Sequence, residues 1–81
     1  MRNNKLLIYK SGETVRDMMQ SLAKERKRKG IVQQEVATKL STTKGNISRM
    51  EQGHHYPTFR SIINYVDSLG VDIEIFVKPK L

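Results

Sequence analysis

The stretch that decides the reading runs Gly30-Ile-Val-Gln33-Gln-Glu35-Val36-Ala37-Thr-Lys-Leu40-Ser41-Thr-Thr43-Lys44-Gly45-Asn46-Ile47-Ser48-Arg49-Met50-Glu51-Gln-Gly53. Val36, Ala37 and Leu40 recur at helical spacing, so Gln33 to Leu40 predicts a short helix with one inward face. Ile47 and Met50 do the same for Lys44 to Gln52. Between them Ser41-Thr42-Thr43 is a polar break. Thr43 carries the hydroxyl that satisfies a free backbone N–H at a helix start. Gly53 suits the end of the second helix, where a left-handed residue is needed and glycine has no Cβ to clash.

The pattern extends on both sides. Val15, Met18, Met19, Leu22 and Ala23 form an apolar stripe, predicting a helix to about Lys29 with Gly30 as its stop. Thr14 and Asp17 have capping-box spacing at its start. Downstream, Thr58 caps a further helix whose expected buried stripe is Phe59, Ile62, Ile63, Val66 and Leu69, closed by Gly70. Val71, Ile73, Ile75 and Val77 then alternate with Asp72, Glu74, Phe76 and Lys78, which predicts a strand ending at Pro79. Residues 5–9 are β-prone but short. The expected organisation is an arm or short strand over 1–13, a helical domain over 14–70 and a C-terminal strand over 71–81. The fold class is mainly α, a small bundle of four to five helices plus that strand.

Composition narrows the functions. The chain has 81 residues, a length at which only about 60% of the unfolded surface is buried, so one domain is expected. Its 15 basic and 8 acidic side chains give a net charge of +7, which favours polyanionic partners. Residues 1–30 hold nine of the basic groups, whereas residues 61–81 hold two. With no cysteine, disulfides, thiolate metal sites and cysteine nucleophiles are excluded. The longest apolar run, Leu6 to Tyr9, is far short of a membrane span. No secretory signal is legible. The expectation is a soluble cytoplasmic protein.

Two short helices joined by a tight polar turn in a basic helical domain have helix-turn-helix geometry. The ordered combination Gln33, Ala37, Ile47-Ser48, Glu51 and Gly53 resembles the Cro/C1-type (XRE) helix-turn-helix domain of phage and bacterial repressors, over roughly residues 15–70. The resemblance implies a lambda-repressor-like bundle that binds double-stranded DNA. It places base-reading positions at Thr43, Lys44, Gly45, Asn46 and Arg49, and phosphate contacts at Gln33 and Ser48. Lys44 and Arg49 have donors for guanine O6 and N7, and Asn46 has the donor–acceptor pair that suits adenine. The resemblance also implies an ion pair between Arg26 and Glu51. The chain departs from the family at Val32, which offers no side-chain cap, and at Ser41, where a turn glycine is common. Glu35 is expected to offset the missing cap through the helix dipole.

Other features have plainer readings. Lys24 to Lys29, with Lys27 and Lys29 its phosphate candidates, reads equally as a solvated helix end complementing the dipole. His54 and His55 lack a third ligand, so no metal and no cofactor are expected. Ser48 has no His–acid partner and the acidic residues show no paired-carboxylate arrangement, so no enzyme is expected. The alternating face of Val71, Ile73, Ile75 and Val77 needs a partner, since a lone strand leaves its backbone groups unpaired. The candidates are residues 5–9, a second subunit or another protein, and an intersubunit sheet is favoured. Leu69 to Ile75 resembles the tail of HigA/HipB-type antitoxins. The leading functional expectation is a sequence-specific repressor acting as a homodimer on a near-palindromic operator. The alternative is an antitoxin that binds a toxin protein and represses its own promoter. A general RNA or nucleoid binder would use the charge alone.

Overall fold

The structure, a computed structural model, describes residues 15–53, 57–74 and 79. Four helices follow in order: α1 Val15–Arg28, α2 Gln33–Lys39, α3 Lys44–Gln52 and α4 Phe59–Ser68. The N-terminal arm, Thr14, the His54–Tyr56 loop segment and Ile75–Lys78 lie outside the described residues.

α3 packs against both α1 and α2, and α4 packs against α2. The core they share consists of Met19, Leu22, Val36, Ala37, Ile47, Ile62, Tyr65, Val66 and Leu69. Ala37 is fully buried, as its small side chain requires where two short helices approach closely. Leu40 and Met50 are only half-buried and pack on the rim of this core.

Each boundary has a local cause. α1 ends in a Schellman motif: the Gly30 N–H donates to the Lys27 carbonyl at 3.0 Å and the Ile31 N–H to the Arg26 carbonyl at 3.1 Å. Gly30 takes φ +75° there. α2 starts at Val32 without a side-chain cap, but the Val32 N–H donates to Glu35 Oε1 at 3.1 Å. Glu35 therefore supplies half of a capping box, a direct bond in place of the dipole effect expected of it. α3 begins at Thr43, whose hydroxyl accepts the Asn46 N–H at 3.1 Å, and α4 at Thr58, whose hydroxyl accepts the Ser61 N–H at 3.1 Å.

The turn between α2 and α3 repeats the Schellman geometry with an unusual residue. The Ser41 N–H donates to the Thr38 carbonyl and the Thr42 N–H to the Ala37 carbonyl at 2.9 Å. Ser41 occupies the left-handed position, with φ +55°, the one positive φ outside glycine among the described residues. A Cβ there costs about 1–2 kcal/mol relative to glycine.

One sequence reading is corrected. Phe59 and Ile63, expected in the buried stripe of α4, are 62% and 37% exposed. The stripe is centred on Ile62, Tyr65, Val66 and Leu69, and Phe59 and Ile63 lie on its flank. Residues 71–74 carry no regular secondary structure, and the rest of the expected strand lies outside the described residues. The alternation itself persists: Val71 and Ile73 pack partly buried against the core while Asp72 and Glu74 face solvent. That half of the apolar face has its own domain as a partner.

The turns yield a paired prediction. Ser41→Gly is expected to stabilise the domain by about 0.5–1 kcal/mol, because relief of the left-handed strain exceeds the added unfolded-state entropy. Gly53→Ala is expected to destabilise it by more than Gly30→Ala does. Both glycines have positive φ, but a Cβ on Gly53 would stand 2.9 Å from Arg16 Cα, whereas one on Gly30 meets nothing within 4 Å. Urea unfolding of the three variants measures both signs.

Candidate nucleic-acid interface

A buried carboxylate lies beneath the surface of α3. Glu51, on the inner face of α3, is 6% exposed. Arg26 of α1 meets it with two donors, Nε to Oε2 at 2.6 Å and Nη2 to Oε1 at 3.0 Å. Gln33 at the start of α2 donates Nε2 to Oε1 at 2.9 Å. Tyr65 of α4 donates its hydroxyl to Oε2 at 2.5 Å. Arg26 also donates Nη1 to the Ile31 carbonyl at 2.7 Å, which ties the α1–α2 turn to the same cluster. One carboxylate thus collects side chains from each of the other three helices.

The cluster sets the protonation of its members. Burial alone pushes the Glu51 carboxyl up, but the hydrogen bonds from Arg26, Tyr65 and Gln33, with the Arg26 charge, outweigh it and hold the group below its ordinary value. The hydrogen bond to Glu51 raises Arg26 despite its burial. Tyr65 is pushed far up, first by burial and then by the adjacent carboxylate, since its phenolate would be both desolvated and repelled.

Above this cluster, the N-terminal end of α3 is a polar outer surface. Thr43, Lys44, Gly45, Asn46 and Arg49 are all exposed. Asn46 is held on both sides of its amide. Its Nδ2 donates to Thr42 Oγ1 at 2.9 Å, and its Oδ1 accepts from Arg49 Nη2. A Cβ built on Gly45 would lie 3.7 Å from Arg49 Nη1, in ordinary van der Waals contact.

A shallow groove beside this end is lined by Arg26, Lys27, Val32, Gln33, Gln34 and Lys44. A second one includes Lys24, Lys27, Gln33, Ser48 and Gln52. The structure therefore brings Lys27, Gln33, Lys44 and Ser48 to one side of the molecule. Lys29 is exposed but lines neither groove. One of the two Gln33 Nε2 hydrogens is committed to Glu51. Half-buried Ser48 accepts from Gln52 Nε2 at 2.9 Å, which leaves its own hydroxyl hydrogen to donate. Arg28 pairs with Glu25 at the α1 end instead of facing the groove.

Two residues of this site were not singled out in the sequence. Tyr65 falls in the 62-65-66-69 series of α4, which is a usable signal for its burial. Thr42 reads as part of a polar turn, and its spacing of four from Asn46 is the only clue to their bond.

A sequence model of helix-turn-helix proteins matches residues 22–76, which spans α1 from Leu22 through all of α2, α3 and α4. The chain belongs to the helix-turn-helix family, of the Cro/C1 (XRE) type. It is a DNA-binding transcription regulator, and α2 and α3 are its motif helices, with α3 the recognition helix. No curated protein and no solved structure matches it significantly. Among the described residues no helix is long and apolar enough to cross a membrane, and no group of three or more His, Asp or Glu side chains is placed to hold a metal.

The cluster predicts how stability follows pH and mutation. Arg26→Met leaves a buried carboxylate without its cation, and a loss of roughly 3–5 kcal/mol is expected. An unchanged thermal midpoint would contradict the burial of the pair. Because the folded Glu51 pKa lies below its ordinary value of 4.5, its contribution is complete above that pH and drains away as pH falls through the lower folded value. Because the Tyr65 pKa is raised above 10.0, its contribution is complete below that pH and declines as pH rises beyond it. Thermal unfolding across pH checks both limbs, and Tyr65→Phe is expected to flatten the alkaline one.

Proposed function

We propose that this regulator is a repressor that binds a near-palindromic operator as a homodimer and acts by occupying promoter DNA. The observation that carries the reading is the recognition-helix end itself. Lys44 and Arg49 stand exposed beside the helix cap, on a scaffold held from beneath by Glu51. In this reading the end of α3 enters the major groove, with Thr43, Lys44, Gly45, Asn46 and Arg49 at the base edges. Gln33, Ser48 and Lys27 lie toward the phosphate backbone, whereas the Lys29 ammonium stands near Gly70 at the end of α4 and lines neither groove. Two such helices about 34 Å apart address successive major grooves on one face of the duplex.

Charge supports the same reading. The net charge of +7 attracts DNA generally, while the major-groove edges supply sequence information that charge cannot. The antitoxin reading draws on the C-terminal segment. Val71 and Ile73 already pack against the domain core, so the described part of that segment does not by itself call for a toxin. A dimeric sheet through Ile75 and Val77 belongs to residues outside the described part.

The test is binding to operator DNA selected from a random duplex pool. Lys44→Ala and Arg49→Ala are expected to lose most of the preference for the selected site, each by about 1–3 kcal/mol, without a change in thermal midpoint. For a dimer meeting roughly 6–10 phosphates, log K is expected to fall against log salt with a slope near −5 to −9. Variants that keep the parent's preference would contradict these residues as readers. Binding that ignores sequence would point to a general nucleic-acid binder.

A further inference from the structure

Asn46 is a natural adenine reader, because its amide can accept from adenine N6 and donate to N7 at once. In this protein both ends of that amide are already engaged. An arginine can only donate, so the Asn46 atom facing Arg49 Nη2 is the carbonyl oxygen. That orientation turns Nδ2 to the Thr42 hydroxyl at 2.9 Å. Each end keeps a second hydrogen or lone pair, but the two bonds fix the direction of the amide, so Asn46 could meet adenine only in the orientation that Thr42 and Arg49 impose. Arg49, by contrast, gives only one of its five donors to Asn46 and keeps the others. The guanidinium lies near Gly45, where an added Cβ would make ordinary van der Waals contact at 3.7 Å from Nη1.

We infer that Thr42, Asn46 and Arg49 form a relay in which Thr42 and Asn46 orient Arg49 to read a guanine, so that Asn46 is a positioning residue and not an independent reader. The inference rests on the major-groove reading proposed above and specifies its chemistry. A guanidinium held in one orientation before binding loses less freedom on docking, and its fork matches guanine O6 and N7. Thr42 thereby determines specificity from the turn, one position outside the helix cap.

The experiment is selection from a random DNA duplex pool with the full-length chain and the variants Asn46→Ala, Asn46→Asp, Thr42→Val and Arg49→Ala, followed by titration of the enriched duplex and its single-base derivatives. The wild type is expected to enrich a guanine that Arg49→Ala no longer enriches. Asn46→Ala and Thr42→Val are expected to weaken that guanine preference by roughly two- to tenfold, the range for ordering one side chain on docking, which is less than Arg49→Ala loses. Asn46→Asp retains an acceptor for Arg49 and is expected to keep the guanine preference, even as its charge lowers overall affinity. If Asn46→Ala leaves the guanine preference intact and abolishes an adenine preference at another position, Asn46 reads by itself and the relay is wrong. If Asn46→Asp converts an adenine preference to cytosine, the same conclusion follows. A wild-type pool with no enriched sequence would instead overturn the DNA-reading proposal beneath it.

Discussion

The Glu51 carboxylate is the constraint on which the rest of the structure depends. Removing a charge from water is costly unless donors replace the lost solvation. Here they come from Arg26, Gln33 and Tyr65, one from each of the other helices. None of these donors can reach Glu51 unless its helix is in place, so the cluster makes the placement of α3 conditional on the whole bundle. In general a buried ion pair adds little net stability over a well-packed apolar substitute. Its consequence here is geometric: the inner face of the recognition helix is pinned at Glu51, and its outer face is left to its own exposed residues.

That division explains how so small a domain can hold α3 from beneath and still leave its N-terminal end exposed. The inner side of α3 contributes Ile47 and Glu51 to the interior, while its N-terminal end carries only groups that face outward or bond to one another. Gln33 belongs to both sides. Its amide bonds to Glu51, and it lines the grooves beside Lys27. A phosphate contact at the start of α2 would therefore act on a residue already held by the recognition helix, and it would couple docking of the backbone to the orientation of α3.

Much of this architecture is written locally in the sequence. Thr43 and Gly53 mark α3 because a cap hydroxyl and a left-handed residue each act within a few positions, and both ends fall where those signals put them. Ser41 is marked only by the family resemblance, in which a glycine is common at that turn, and its positive φ is a finding of the structure. The flank of α4 was less legible. Period alone places Phe59 and Ile63 near the apolar stripe, but only the neighbouring helices decide where its centre falls. Arg26 stands in a run of six charged residues that reads as solvent-exposed, and only the family resemblance separates it from Lys27 and Arg28. Tyr65 was illegible as a donor because its need for an acceptor arises on burial. The Asn46 amide reads as free in sequence because a bond between two exposed side chains leaves no mark in hydropathy.

The central claim is that the cluster locks α3 to α1, α2 and α4, and native-state amide hydrogen exchange tests it most directly. If the claim holds, the inner amides of α3, at Ile47, Met50 and Glu51, exchange only through the same global opening as those of Leu22 in α1 and Val66 in α4, with equal dependence on denaturant. Exchange of the α3 amides through a separate, lower-energy opening, while α1 and α4 stay protected, would contradict it.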